Sequence, residues 1–370
     1  MQLMANFLAY LFVFVSFCLF ILVTIPIILI HFTKECVLIA DEFLVRRLEN
    51  LLDESCTTLA RLLGADPVDL VLVDNATAGM NIVAASLALQ PGDQVLLSDH
   101  EYGAVRRLWQ QACQRAGAEL VIRKLPWPLL DSDAATQVTE RFVEAMNERT
   151  RLAVISHVTS PTAVILPVHA ICEQARQRGV PVCIDGPHAV GMLPLDLDQI
   201  GCDYYTASCH KWLSAPFGSG FLWVRRKHHP QMKPAIVSWG GSVSGRTDSW
   251  KDEFTWPGTR DPAPWLAVSE AITFLEDYGW DRFREETHRL ASSARERLVE
   301  TIGLEPPLPD SSTWYASMVA VPLPNDEQHT SRHGQSDPLQ RVLQEKYGIE
   351  IPVVCFHEHR YLRVSCHLYN

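Results

Sequence analysis

The amino-acid sequence predicts an α/β protein with a mostly parallel, seven-stranded sheet, helices on both faces, and a smaller α/β domain at its C-terminal end. Three observations predict this fold: short apolar runs bounded by turn residues, helical patterns between several of these runs, and a change of composition near the C-terminus. The 370 residues are 47% hydrophobic and carry a formal net charge of −11, so the chain can bury a large core and lacks the positive charge of a nucleic-acid-binding protein.

The seven predicted strands are short runs rich in Val, Leu, Ile and Tyr, with polar or turn residues at their ends. They are Leu70–Val73, Val95–Leu97, Leu120–Ile122, Leu152–Ile155, Val180–Ile184, Tyr204–Thr206 and Phe221–Val224. Helical spacing of apolar residues lies between several of them and is clearest from Ala78 to Leu89 and from Val168 to Ala175. Strands that alternate with helices form parallel sheets, which bind ligands at the carboxyl ends of their strands.

The C-terminal part of the chain departs from this alternating pattern. One or two long helices are predicted from Ala263 to Ile302, followed by a polar, proline-rich stretch and two short strands, Ala316–Val321 and Tyr361–Val364. We therefore expect a large domain over residues 34–265 and a small domain over residues 266–370.

The chain begins with an apolar segment, in which no Asp, Glu, Lys or Arg occurs from Leu3 to Phe32. About 20 apolar residues span a bilayer core, so residues 1–33 are predicted to form a transmembrane helix. The nearest basic residues follow the segment, which favours a membrane protein whose remaining chain is cytoplasmic. The alternative is a wrongly assigned start ahead of a cytoplasmic enzyme.

Metal binding and disulfide bonding are both disfavoured. The ten cysteines include no Cys-x-x-Cys pair, and they are predicted to be reduced and mostly buried. The pairs His228-His229 and His357-x-His359 have no accompanying ligands at helical spacing. We therefore expect no metal site.

Two motifs carry the strongest chemical signal: Cys183-Ile-Asp-Gly-Pro-His188, and Ser208-Cys-His-Lys211 after the next predicted strand. Asp185 and Lys211 each follow a strand, so both are expected in the ligand crevice. A carboxylate opposite an amine in a partly dry crevice suits pyridoxal 5′-phosphate, because lysine forms a Schiff base and the carboxylate keeps the pyridine nitrogen protonated. Taken singly, Asp185 could cap a turn and Lys211 could be a surface charge.

A phosphate site is predicted in Asn75-Ala-Thr-Ala-Gly-Met-Asn81, where a helix is expected to begin after the first strand. Small residues at a helix N-terminus let backbone N–H groups and the Thr77 hydroxyl approach an anion closely. The alternative is an ordinary N-cap formed by Asn75 or Thr77. The segment is not a nucleotide P-loop, because no Gly-Lys-Ser/Thr follows.

These motifs resemble the class V aminotransferase family of fold-type I pyridoxal phosphate enzymes, in particular its isopenicillin N epimerase-like branch. The resemblance runs from about Leu48 to the last residue and is most specific in Asp-Gly-x-His and Ser-x-His-Lys. It implies that Lys211 forms the internal aldimine, that Asp185 pairs with the pyridine nitrogen, and that His188 binds the phenolic oxygen of the ring. The residues that it implies for the phosphate are Ser208, His210, Thr77 and the backbone of Ala76.

The resemblance also places a residue that stacks on the cofactor ring within Asp99-His-Glu-Tyr-Gly103. The register counted back from Trp109 favours Tyr102, and His100 is the second candidate. Ordinary packing at the end of a strand is the alternative for both side chains.

Two further residues are assigned by the same resemblance. Arg363, in Leu362-Arg-Val-Ser-Cys-His-Leu-Tyr-Asn370, would bind the substrate carboxylate through a planar, bidentate pair. Thr259, in Trp256-Pro-Gly-Thr-Arg-Asp261, would reach the cofactor phosphate of the other subunit, which implies a homodimer with shared sites. Without the resemblance, Arg363 would be a solvated arginine and the Pro257-Gly258 pair would only mark a turn.

The implied activity is that of an enzyme that acts on an amino acid through an external aldimine and a Cα carbanion, with Lys211 as the base. Epimerase and aminotransferase reactions both remain open, and a C–S lyase or cysteine desulfurase is the first alternative. A desulfurase needs a mobile nucleophilic cysteine, whereas Cys355 lies in an apolar run typical of a buried strand. The second alternative is a non-catalytic, membrane-tethered or truncated paralogue, because the pocket loop and terminal helix expected from the family are not evident.

Overall fold

Seven strands form one mostly parallel sheet and three antiparallel strands form a smaller one, which confirms the predicted fold class. The computed structural model describes residues 25–38, 42–246, 249–325 and 337–370. The strands of the large sheet are β1 (Leu70–Val73), β2 (Gln94–Ser98), β3 (Glu119–Arg123), β4 (Thr150–Ser156), β5 (Val182–Asp185), β6 (Tyr204–Ser208) and β7 (Gly220–Val224). Those of the small sheet are β8 (Met318–Leu323), β9 (Val353–Phe356) and β10 (His359–Ser365).

Helices precede or follow most of these strands, as the alternating pattern predicts. They are α1 (Ile25–Leu38), α2 (Leu48–Leu62), α3 (Ala76–Ser86), α4 (Gly103–Ala116), α5 (Ala134–Val143), α6 (Val168–Gln177), α7 (Leu197–Ile200), α8 (Asp252–Thr255), α9 (Ala263–Leu266), α10 (Val268–Tyr278), α11 (Trp280–Ile302) and α12 (Pro338–Tyr347). Short π- or 3₁₀-helical turns occupy Glu42–Arg47, Pro67–Asp69 and Arg226–Gln231.

The first of two structural units comprises the described parts of residues 1–90 together with residues 182–280 and 368–370. Its strands lie in the order β1-β7-β6-β5, with β7 antiparallel to β1 and β6, and with β5 parallel to β6. The register pairs Asp185 with Thr206, so the carboxyl ends of β5 and β6 are neighbours. Helix α3 packs closely on β6: a Cβ atom on Gly79 would lie 2.1 Å from Thr206 Oγ1, so glycine is required there.

The second unit comprises residues 91–181 and the described parts of residues 281–367. Its strands in the large sheet are parallel and lie in the order β4-β2-β3, and the small sheet has the order β8-β10-β9. A cluster of buried side chains, which includes Tyr315, Val319 and Val321, packs against apolar residues of α11. The division into domains 34–265 and 266–370 stays a prediction.

The transmembrane helix predicted for residues 1–33 falls largely on residues 1–24, which lie outside the described residues. The described remainder, residues 25–33, belongs to α1. In the parts of the chain that the structure describes, no helix is both long and apolar enough to span a membrane. The membrane location predicted from the sequence is therefore wrong.

Candidate active site

Asp185 ends strand β5 in the first unit with its carboxyl group buried. Burial raises the pKa of Asp185 to about 7, because a desolvated carboxylate is unstable, and the positive charge of Lys211 opposes this increase. The next residue must be glycine, since a Cβ atom on Gly186 would lie 2.2 Å from the ring of Tyr205. The Asp-Gly sequence thus places an acid at the end of the strand and lets the chain turn closely past β6.

Lys211 follows β6 and contacts His188, which follows β5. Lys211 Nζ lies 3.1 Å from His188 Nε2, and the Trp212 indole N–H donates to His188 Nδ1 at 3.2 Å. An indole nitrogen is only a donor, so Nδ1 is the acceptor and the single proton of a neutral imidazole lies on Nε2. Trp212 thus orients the imidazole, and the imidazole contacts the amine of Lys211.

The N-terminus of α3 lies beside the end of β6. Asn75 caps the helix by accepting the Ala78 N–H at 2.9 Å, so the N-cap alternative is present in the structure. The Ala76 N–H donates to Ser208 Oγ at 3.0 Å, which brings this hydroxyl to the helix N-terminus, and Thr77 is exposed. The Asn75 cap is compatible with an anion site, because one side-chain cap leaves other N–H groups of the first turn free.

His210, between Ser208 and Lys211, carries a buried Nδ1 atom with no hydrogen-bond partner among the described residues. Burial, assisted by the nearby charge of Lys211, lowers the pKa of His210, so its ring is neutral near pH 7. A buried polar atom without a partner is costly in a folded protein. A bound ligand would satisfy it.

Thr259 lies in the segment between α8 and α9, and its side chain is exposed. The following residue anchors this segment: Arg260 pairs with Asp74, and its guanidinium lies 4.4 Å from the centre of the Trp265 ring. The predicted contact of Thr259 with a second subunit stays a prediction.

In the second unit, the two candidates for ring stacking differ in accessibility. Tyr102, at the N-cap of α4, is 51% exposed. His100 is buried, its Nδ1 lies 2.9 Å from Thr162 Oγ1, and its ring packs on those of Phe356 and Trp127. Burial lowers the pKa of His100 to about 4, so the imidazole is neutral and forms part of the core. Tyr102 alone of the two has an accessible ring.

Arg363, on β10, is held along one edge of its guanidinium. Its Nη1 donates to the Ser160 carbonyl oxygen at 2.6 Å and to Ser160 Oγ at 3.0 Å. Its Nε is buried and has no partner among the described residues. Burial lowers the pKa of Arg363, against the opposing influence of Tyr102. Arg363 Nε is thus a buried donor that an acceptor such as a carboxylate would satisfy.

Two of these contacts involve residues that the sequence interpretation missed. Trp212 could have been noticed, because it directly follows Lys211 in the motif. Ser160 carries no local signal, since its contact with Arg363 joins positions 203 residues apart.

The histidines considered for metal binding have other partners. His228 Nε2 lies 2.8 Å from Asp203, His229 stacks on Trp250 at 4.1 Å, and His357 Nε2 lies 2.6 Å from Asp99. Within the described ranges, no group of three or more His, Cys, Asp or Glu side chains could hold a metal ion.

The raised pKa of Asp185 makes a prediction about stability in protein stripped of any bound cofactor. Between the unfolded value of 3.8 and the folded value of about 7, the native state binds more protons than the unfolded state, so stability falls as pH rises. We expect Asp185→Asn to remove this dependence. Between about pH 5 and about pH 8, the unfolding free energy of the variant should therefore rise by about 2 kcal/mol relative to that of the wild type. Urea denaturation at the two pH values measures it.

Asp203→Asn is the matched control, because it alters a second buried carboxyl group of the same unit. Burial alone would raise the pKa of Asp203, but hydrogen bonds from His228 and Lys227 hold it below the usual value. Between about pH 5 and about pH 8 Asp203 is ionised in both the folded and the unfolded state, so the stability of this variant should change with pH in parallel with that of the wild type. Parallel pH profiles for wild type and Asp185→Asn would contradict the assignment.

Comparison with known proteins identifies the family. The sequence model described as "Aminotransferase class-V" matches residues 43–353. The isopenicillin N epimerase of Streptomyces clavuligerus is 38% identical over 340 residues, which cover 89% of this chain and 83% of that protein. A probable chloroplastic L-cysteine desulfhydrase of Arabidopsis thaliana is 30% identical over 342 residues, which cover 85% of this chain and 68% of that protein.

The fold is also that of a solved structure, the cystine C-S lyase C-DES in complex with its reaction product cysteine persulfide. The TM-score is 0.73 at 21% sequence identity, with 94% of this chain and 91% of that chain covered. This likeness supports the fold assignment.

The family implies pyridoxal 5′-phosphate as the cofactor, and the residues of the first unit fit it. Lys211 supplies an amine, the buried Asp185 carboxyl lacks full charge compensation, and His210 Nδ1 lacks a partner. The N-terminus of α3 suits a phosphate group. We conclude that the chain belongs to the class-V aminotransferase family of pyridoxal-phosphate-dependent enzymes.

Proposed function

We propose that this enzyme removes the proton from the Cα atom of an amino acid and acts as an epimerase or an aminotransferase of the isopenicillin N epimerase type. The observation that carries the proposal is the contact of Lys211 with His188, whose tautomer is set by Trp212. It fixes the position of an amine that, once neutral, can accept a proton. The 38% identity to an isopenicillin N epimerase over most of both chains supports the same chemistry.

Bound pyridoxal phosphate supplies an electron-accepting ring that stabilises the charge left at Cα when the proton departs. Lys211 Nζ takes the proton from Cα as a general base. His188 would donate to the phenolic oxygen of the bound cofactor. Delivery of a proton from another donor to the opposite face of Cα would give epimerisation, and delivery of the proton to an atom other than Cα would give amino transfer.

The remaining residues of the first unit hold the cofactor in this proposal. Asp185 would hold the pyridine nitrogen of the bound cofactor, and a positive charge on that nitrogen would favour the carboxylate, because an opposite charge offsets the cost of burial. Ser208, His210 and Thr77, with the backbone of Ala76, bind the phosphate at the N-terminus of α3. His210 thereby gains a partner for its buried Nδ1.

Two residues of the second unit complete the proposed assignment. Tyr102 stacks on the cofactor ring, a role for which its accessible side chain is suited and the enclosed ring of His100 is not. Arg363 binds the substrate carboxylate through the edge that Ser160 leaves unoccupied.

We further propose a homodimer in which Thr259 contributes to the cofactor site of the other subunit. Its support is an exposed apolar segment before the Thr259 segment, with Ile236 61%, Val237 85% and Trp239 83% exposed. Large exposed apolar side chains in succession are typical of protein interfaces. Sedimentation equilibrium should give two subunits for the wild type and one for Trp239→Asp. A monomeric wild type would contradict the proposal.

A C–S lyase is the second candidate, because the chain is 30% identical to the probable L-cysteine desulfhydrase. Persulfide chemistry of the desulfurase type is less well supported. Cys355 lies on β9 with its side chain half-buried, in backbone register with Arg360 across the small sheet, and a residue held in a strand is poorly suited to move to a substrate sulfur.

Exchange of the Cα hydrogen tests the proposed function directly. A panel of L- and D-amino acids incubated with the cofactor-loaded enzyme in deuterium oxide should show deuterium at Cα of at least one member. Lys211→Ala should lower this rate by about 10²–10⁴-fold, the usual contribution of a positioned base. Lys233→Ala, which removes an exposed ammonium of the same unit, should leave the rate unchanged.

The products separate the reaction types in the same samples. Inversion at Cα indicates an epimerase, a keto acid indicates an aminotransferase, and sulfide released from cysteine indicates a C–S lyase. Cofactor binding without exchange on any amino acid would overturn the proposed function.

The contact between Ser160 and Arg363 predicts a specific kinetic effect. Ser160→Ala removes the 3.0 Å hydrogen bond from Nη1 but leaves the one to the backbone carbonyl, so the guanidinium loses part of its orientation. We expect KM for the amino acid to rise by about three- to tenfold with little change in kcat. Ser160→Thr, which keeps a hydroxyl, should restore most of the affinity. A fall in kcat at constant KM would refute this role.

A further inference from the structure

A large cavity in the first unit opens beside Lys211. Its volume is about 690 Å³, which lies within the range of roughly 300–1,000 Å³ typical of small-molecule sites. His210 and Lys211 contribute to its lining. The cavity is therefore bounded in part by the residue to which the proposed function assigns the chemistry.

Most of the other lining side chains are apolar. Helix α1 contributes Ile25 and Leu29, and it packs against α9, which contributes Pro264. The segment after the lysine contributes Pro216 and Phe217, and the Phe217 ring is 83% exposed. A ring left this exposed gains contacts when an apolar group enters the cavity.

The charges around the cavity disfavour an acidic occupant. Apart from Lys211 and His210, which the proposed function assigns to the cofactor, Asp261 is the acidic or basic side chain in the described lining. Asp261 Oδ1 accepts the Ala263 N–H at 2.9 Å. No further cation lines the cavity within the described residues, so an acidic side chain placed there would lose its hydration without gaining a counter-charge.

We infer that this cavity binds the side chain of the substrate, and that the substrates are amino acids with large apolar side chains. The inference rests on the proposed function, since it takes Lys211 as the group that meets the amino acid. Each methylene buried in such a site contributes roughly fourfold in affinity, so discrimination between large and small side chains should be strong.

Ligand binding can be measured apart from turnover with α-methyl amino acids, which have no Cα hydrogen to lose. The cofactor-loaded enzyme is titrated with α-methylphenylalanine, α-methylleucine, 2-aminoisobutyrate and α-methylaspartate, and the visible absorbance of the cofactor reports the Kd. The first two should bind at least about tenfold more tightly than 2-aminoisobutyrate. Equal or tighter binding of α-methylaspartate would overturn the inference.

Substitutions in the cavity wall test which residues contact the side chain of the ligand. Leu29→Ser should weaken the binding of α-methylphenylalanine by about three- to tenfold and change that of 2-aminoisobutyrate little, because only the larger ligand reaches α1. Phe217→Ser provides a second test at an exposed position, where loss of the ring does not endanger folding. Ile30→Ser is the matched control: Ile30 lies on the same helix, is 65% exposed and does not line the cavity.

The outcomes also distinguish this inference from the proposed function. If no amino acid alters the absorbance and none exchanges its Cα hydrogen, the proposed function fails. If small or acidic amino acids exchange and bind best, the function stands and the assignment of the cavity fails. If Phe217→Ser dissociates the dimer and weakens all ligands equally, a second copy of the chain covers the cavity, which likewise overturns the inference.

Discussion

A carboxyl group held out of water near a lysine is the interaction on which the site depends. Burial at the end of β5 raises the pKa of Asp185 to about 7, so the group is poised between its neutral and ionised forms. A cation brought against it tips this balance toward the carboxylate. The parallel pairing of β5 with β6 makes the arrangement possible, because it puts the residues after both strands at one edge of the sheet.

The lysine itself is controlled by hydrogen bonding. Trp212 can only donate, so it donates to Nδ1 of His188, and Nε2 of the same ring lies 3.1 Å from Lys211 Nζ. Lys211 and Trp212 are consecutive in the sequence. Lys211 carries the reactive amine, and Trp212 orients the histidine that contacts this amine. The motif indicates which residues bind the cofactor, but it does not show that Trp212 orients His188.

Close packing of the backbone is the other requirement. Glycine at position 79 lets α3 approach Thr206, and the same approach brings the Ala76 N–H to Ser208 Oγ. The helix N-terminus and the end of β6 thus form one polar concavity rather than two separate features. Its chemistry suits the phosphate of the cofactor that the family implies.

The sequence by itself determined the order of strands and helices along the chain, the family, and the Asp185 and Lys211 motifs. Apolar periodicity and the position of a residue at a strand end are local properties, so they can be inferred from the sequence without knowledge of tertiary contacts. The same local reasoning failed for residues 1–33, where hydropathy suggested a membrane span, whereas no helix among the described residues is long and apolar enough to cross a membrane. It also left open whether Tyr102 or His100 stacks on the cofactor ring, because a sequence motif does not show which side chain is accessible.

Only the tertiary structure decided which side chains meet. It enclosed His100 between Phe356 and Trp127, joined Ser160 to Arg363, and brought α1 to the cavity beside Lys211. These contacts connect residues that are far apart in the chain, and burial, which sets the pKa of Asp185 and His100, depends on all of the atoms that pack around a group. Local sequence specifies the groups that are present, and the folded environment specifies their charge and their partners.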